Sequence, residues 1–156
     1  RHWPGFLICV DNYTSGYCAD DPVSEQADRT ADEQAARAVL RDHGRRAQLV
    51  THSSTSAAHN LPDSSLDFVY IDGNHSYDAV CLDLGTWWSK LKPGGIFAGH
   101  DYDIDTHDLR WKATVGLAVD QFARAHGLEV QTFEEYDQPW SWWFIKPKNE
   151  NEKEST

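Results

Sequence analysis

In the stretch VYIDGNHSYDAV (69–80) an apolar run ends in Asp72, turns through Gly73-Asn74 and reaches His75 three residues later. A second run, IFAG (96–99), leads into His100-Asp101-Tyr102. Carboxylates on neighbouring strand ends are hard oxygen donors that suit Mg²⁺, with water or substrate completing the octahedron. Asp72 and Asp101 are therefore candidate metal ligands, and His100 is a third if the cation is softer. His75 sits near the same crevice with an imidazole suited to taking a proton from a hydroxyl. Two more apolar runs end in polar groups: FLICV (6–10) in Asp11, and AQLV (47–50) in Thr51-His52-Ser53. An acid at such a strand end can accept hydrogen bonds from the two hydroxyls of a ribose.

Each of these residues also has a plainer reading. Asp11-Asn12 is a common turn pair, Asp72 and Asp101 are solvated strand ends, and His75 is a loop histidine bonded to backbone. Strands must end in something soluble, so one or two such residues mean little. Four consecutive strand ends carrying polar or ionisable groups favour a site, because ligands of open parallel sheets bind beyond the carboxyl ends of the strands.

The elements that must position these groups alternate. FLICV is a short, β-rich run that looks like a strand buried on both faces. TADEQAARAVLRDHG (30–44) carries helix start and stop signals: Thr30 and Glu33 fit a capping box, Ala35, Ala36, Val39 and Leu40 form an apolar face, and Gly44 ends it. AQLVT (47–51) is a strand, followed by a Ser/Thr/His-rich loop. LDFVYI (66–71) is the strongest strand. From Ser76 the pattern is helical, with Val80, Leu84, Trp87, Trp88 and Leu91 on one face. KPGG (92–95) is expected to end that helix before the strand IFAG. A polar connection (103–112) leads to a helix bearing Val115, Ala118, Val119 and Phe122, stopped by Gly127. LEVQTF (128–133) and WSWWFI (140–145) read as a hairpin. Strands alternating with helices predict an α/β fold, a mostly parallel sheet with helices on both faces and a C-terminal antiparallel hairpin. The expected domain spans 1–146, and the tail 147–156, without apolar content, is expected to be disordered.

Taken together, LDFVYIDGNHSYDAVCLDLGTWWSKLKPGGIFAGHDY, VGLAVDQFARAHGLEV and SWWFIK resemble the class I S-adenosylmethionine-dependent methyltransferases. The likeness is greatest to small bacterial members with the order strand-Asp-Gly-x-His-x-Tyr, helix, Leu-x-Pro-Gly-Gly, strand-Gly-His-Asp-Tyr. It covers residues 6 to 146 and implies a Rossmann-like fold. It also implies that Asp11 holds the cofactor ribose, that His52 and Ser53 lie beside the adenine, and that Asp72 also borders the cofactor. Asp72 and Asp101 match the ligand positions of metal-dependent O-methyltransferases in this superfamily, and Asp72 with His75 resembles sugar O-methyltransferases in which that histidine is the general base. The implied reaction is transfer of a methyl group from S-adenosylmethionine to a small hydroxylated acceptor, with Mg²⁺ or another divalent cation lowering the hydroxyl's pKa. The family's first strand and its glycine-rich loop have no counterpart here. FLICV matches the second strand, and the chain contains no Gly-x-Gly-x-Gly. The absence of methionine and an apolar strand within the first ten residues suggest a fragment of a longer chain.

Composition narrows the partners. A net charge of -11 argues against nucleic acid, whose backbone calls for a basic footprint. No run approaches the roughly 20 apolar residues of a membrane span. Cys9, Cys18 and Cys81, an odd number without metal-ligand spacing, read as reduced thiols of a cytoplasmic protein. DYDID (101–105) offers overlapping Asp-x-Asp patterns of the kind glycosyltransferases use, common by chance in an acidic chain. A non-catalytic alternative is a methyltransferase-fold remnant that binds a ligand or pairs with itself as a homodimer.

Overall fold

Parallel strand pairing organises both halves of the chain. The computed structural model describes residues 5–14, 29–102, 114–133 and 141–148. It divides into two compact units, Arg1–Asn60 and Leu61–Thr156. The strands form two sheets, one in each unit, and among the described residues no strand is hydrogen-bonded to both.

In the first unit β1 (Leu7–Val10) pairs in parallel with β2 (Ala47–Val50), with Leu7 opposite Ala47 and Val10 opposite Val50. The Asp11 amide continues the ladder by donating to the Val50 carbonyl at 3.2 Å. The expectation that β1 is buried on both faces fails at its start, where Phe6 and Leu7 are 56% and 52% exposed. Helix α1 (Arg29–Arg41) joins the strands. It begins at Arg29, so Thr30 has helical backbone and cannot be the cap of a capping box. The first turn is instead tied by Arg29 to Asp32, at 3.0 Å. No residue of α1 is buried, and Val39 lies open to solvent. Gly44, at φ +57°, makes the left-handed turn that ends this segment.

The stretch after β2 is not a loop. Ser54–His59 forms a short helix, α2, whose N-cap is Ser53: its hydroxyl accepts from the Ser56 amide at 3.3 Å. Ala57 and Ala58 are buried, and these two small residues give an otherwise polar sequence its apolar anchor.

The second unit carries a four-stranded sheet in the order β3-β4-β6-β5. Strand β3 (Leu66–Ile71) leads through helix α3 (Tyr77–Trp88) to β4 (Leu91–Gly99), parallel to β3. Helix α4 (Thr114–His126) follows, then the antiparallel pair β5 (Gln131–Phe133) and β6 (Ser141–Ile145), as the hairpin pattern predicts. Lys92-Pro93-Gly94-Gly95 lies inside β4 rather than between helix and strand. The pairing absorbs it as a bulge, in which Leu66 opposes Leu91 while Phe68 already opposes Ile96. Gly94 supplies the required positive φ, +80°.

Lys146 locks this corner. Its ammonium donates to the carbonyls of Trp88 (2.7 Å) and Leu91 (2.8 Å), just past the end of α3, and lies 4.8 Å from the centre of the Trp88 ring. Burial pushes its pKa down from the ordinary lysine value. The core beneath is aromatic: Phe97, Trp142 and Phe144 are fully buried with Leu84, Leu91 and Val119. Phe97 meets Trp142 edge to face at 6.0 Å, and Trp88 meets Phe122 at 5.4 Å. Alternation along β6 puts Trp142 and Phe144 inward, while Trp143 and Ile145 stay exposed with Phe68, Tyr70 and Ile96. Cys9 and Cys81 are free thiols. Cys18 and the tail from 149 on lie outside the described residues, and no described helix is long and apolar enough to cross a membrane.

Candidate active site

The parallel pairing of β3 with β4 decides where the chemistry sits. Ile71 opposes Gly99, and the His100 amide extends the ladder by donating to the Ile71 carbonyl at 3.0 Å. Asp72 and His100-Asp101 therefore leave the sheet side by side. Gly99 makes this close approach possible, because a Cβ there would lie 2.5 Å from the Trp142 ring and 2.6 Å from the Ile71 carbonyl oxygen. Trp142 also donates its indole N–H to the His100 carbonyl at 3.2 Å, holding the strand end from below.

After Asp72 the chain turns back at once. Asn74 accepts the Ser76 amide through its side chain at 2.8 Å, and Ser76 is the N-cap residue of α3. This turn brings His75 over the strand ends. His75 Nε2 lies 2.9 Å from Asp101 Oδ2 and 4.0 Å from Asp72 Oδ1. His100 Nδ1 lies 3.3 Å from the same Asp101 oxygen. Asp101 is the buried charged residue among those described, at 8% exposure, and its backbone is left-handed at φ +60°. Burial raises the pKa of its carboxyl, but the hydrogen bond and charge of His75, joined by the charge and hydrogen bond of His100, outweigh it. The carboxyl is held below the ordinary aspartate value and is ionised. Asp72 is exposed.

One donor atom each from Asp72, His75 and Asp101 lies within 4.8 Å of the others. Two carboxylates and an imidazole are a set that suits a divalent cation, and the imidazole favours one softer than Mg²⁺. His100, expected as a ligand, is not a member of this trio and stands behind Asp101.

Asp11, His52 and Ser53 lie together at the carboxyl end of the other parallel pair. Asp11 is already engaged: Oδ1 accepts the Tyr13 amide at 2.8 Å and Oδ2 pairs with Arg29 at 3.0 Å. Ser53 caps α2 and also donates to Ser56 Oγ at 2.9 Å, while His52 is exposed. The polar connection 103–112, which follows Asp101 in the sequence, lies outside the described residues.

Sequence reasoning missed the supports on α4. Thr114 Oγ1 donates to the His75 carbonyl, and Asp120 accepts the Tyr102 hydroxyl at 2.6 Å. Neither contact has a local signal, since each joins residues far apart in the chain.

A family model described as "Methyltransferase domain" matches residues 2–102. The uncharacterized protein y4gI of Sinorhizobium fredii (strain NBRC 101917 / NGR234) is 32% identical over 86 residues, 52% of this chain. The match spans only 10% of that protein's length. A solved protein from Corynebacterium glutamicum superposes with a TM-score of 0.63 at 17% identity, over 92% of this chain and 62% of that one. A candidate caffeoyl-CoA O-methyltransferase from Staphylococcus aureus gives a TM-score of 0.61 at 13% identity, over 91% and 76%. At these identities the likenesses show the fold, a Rossmann-like α/β arrangement with an antiparallel C-terminal edge.

Proposed function

The chain belongs to the methyltransferase-domain family, among the class I S-adenosylmethionine-dependent methyltransferases, and from that premise we propose that it transfers a methyl group to the oxygen of a small hydroxylated acceptor, with His75 as the general base. The observation that carries this reading is the 2.9 Å pairing of His75 Nε2 with the buried, ionised Asp101. A carboxylate accepts and cannot donate, so the imidazole proton belongs on Nε2, and Nδ1 is left with its lone pair. Nδ1 is the atom that takes the acceptor's hydroxyl proton, while Asp101 steadies the imidazolium that results. S-adenosylmethionine supplies the electrophilic sulfonium methyl, and Asp72, exposed beside His75, is proposed to border it.

A metal-assisted version is supported by the grouping of Asp72, His75 and Asp101. With Asp72 and Asp101 as ligands and His75 beside them, a divalent cation there would lower the pKa of an acceptor hydroxyl. The protein's share in either version is to hold the acceptor oxygen, the base and the methyl donor in line.

Thermal unfolding with S-adenosylhomocysteine, with and without Mg²⁺ or Mn²⁺, tests cofactor binding. A ligand that binds only the folded chain should add about 2.7 kcal/mol at 100 times its dissociation constant. Methyl transfer to a panel of hydroxylated acceptors should follow, and should be lost in His75→Ala. No stabilisation at millimolar ligand would overturn the activity and leave a fold that binds or self-associates.

A further inference from the structure

We propose that the first two turns of α4 are the positioning device for the His75–Asp101 pair, with Thr114 and Gly116 as its positioning residues. The inference rests on the reading of that pair as the proton-handling centre. Both partners lie outside regular strand and helix. His75 lies on the corner between β3 and α3, and Asp101 lies past the end of β4 with left-handed backbone at φ +60°. The Asn74 turn and the Trp142 indole hold each connection separately, and a contact common to both would set one partner against the other.

Helix α4 reaches both at once. Thr114 donates its hydroxyl to the His75 carbonyl, fixing the backbone from which the imidazole projects. Two residues on, Gly116 packs directly beneath the Tyr102 carbonyl, and any Cβ at 116 would collide with that oxygen. Asp120 is four residues further along the same helix face and accepts the Tyr102 hydroxyl at 2.6 Å. Tyr102 is thus gripped at its carbonyl and its phenol, directly after Asp101. One rigid helix sets the position of the histidine and the carboxylate relative to each other, so their 2.9 Å pairing is a consequence of how α4 docks. Gly116 is buried, and nothing larger fits there.

The test reads the state of the His75 ring, with no substrate or cofactor present. Long-range ¹H–¹⁵N spectra recorded well above the ordinary histidine pKa of about 6.5 show which ring nitrogen carries the proton. The His75 signals are assigned by their loss in His75→Gln. The wild type is expected to show one tautomer, with the proton on Nε2. Thr114→Val, which keeps the shape and removes the hydroxyl, should shift the signals toward the averaged pattern of a free histidine, and Thr114→Ser should restore them. Gly116→Ala should produce the same averaging through Tyr102. If that variant fails to fold, the Thr114 pair carries the test alone. Wild-type tautomer signals in Thr114→Val overturn the proposal, as does an averaged pattern in the wild type. Because the readout needs no methyl transfer, an inactive wild type with a fixed Nε2–H tautomer would sink the catalytic reading and leave the positioning inference standing.

Discussion

Asp101 concentrates the energetics of the site in one carboxylate. Its folded pKa lies below the ordinary value, so the folded chain binds that proton less readily than the unfolded chain does. Its contribution to stability is full above the unfolded carboxylate pKa of about 3.9 and is lost as the pH falls through the folded value. Wild type should therefore melt higher than Asp101→Asn at pH 5 to 6, and the gap should close as scans are taken below about pH 4. His75→Gln keeps a polar side chain and removes the proposed base. Methyl transfer by the folded variant should fall by roughly 10²–10⁴-fold in initial-rate assays. At this scale the sequence was informative where polarity broke an apolar run. Asp72, His75 and Asp101 stood out because each follows a strand. Thr114 did not, because its partner lies 39 residues away and a threonine opening a helix is ordinary. The engagement of Asp11 by Arg29 was equally invisible, since it crosses the segment between β1 and α1.

Elements with strong periodicity were legible, and those decided by tertiary contact were not. Helix α3, helix α4 and the β5–β6 hairpin follow from their apolar spacing. Lys-Pro-Gly-Gly reads locally as a terminator, yet it becomes strand because the Leu91 side chain is pulled into the core and Lys146 returns to pair with Gly94 and Gly95. Helix α2 was hidden for a related reason: its sequence is polar, and only the burial of Ala57 and Ala58 selects the helix. Two substitutions test these supports. Gly99→Ala must displace either the Trp142 ring or the β3 backbone, and should cost about 1–3 kcal/mol in urea unfolding. Lys146→Met keeps the aliphatic stem and deletes two charge-assisted hydrogen bonds to the Trp88 and Leu91 carbonyls. It should lower stability by about 1.5–3 kcal/mol in the same assay.

For the whole molecule, alternating strands and helices were enough to place the chain in the α/β class and to put its candidate site residues at strand ends. The division into two units was not legible, because strand pairing across a sheet leaves no trace in a linear pattern. Nor was the exposed sheet face of the second unit, where Phe68, Tyr70, Ile96, Trp143 and Ile145 lie open together. An apolar area of that kind takes up apolar probes. The wild-type chain should enhance the fluorescence of an anilinonaphthalene dye under native conditions, and a Tyr70→Lys/Trp143→Lys double variant should enhance it far less at unchanged circular dichroism.

The strand order β3-β4-β6-β5 also governs what can happen while the chain is being made. A ribosome releases β4 and then β5, but these two are not neighbours. The strand that separates them, β6, is the last of the described strands to emerge, and it brings Trp142, Phe144 and the Lys146 anchor with it. Until then Phe97 has no aromatic partner on that side, β5 has nothing to pair with, and the end of α3 lacks its cation. The nascent second unit must wait with an open edge and an unfinished core, the condition in which chains aggregate or engage chaperones. Its vulnerability in the cell is therefore set during translation, by the interval between synthesis of Gly99 and release of residue 146.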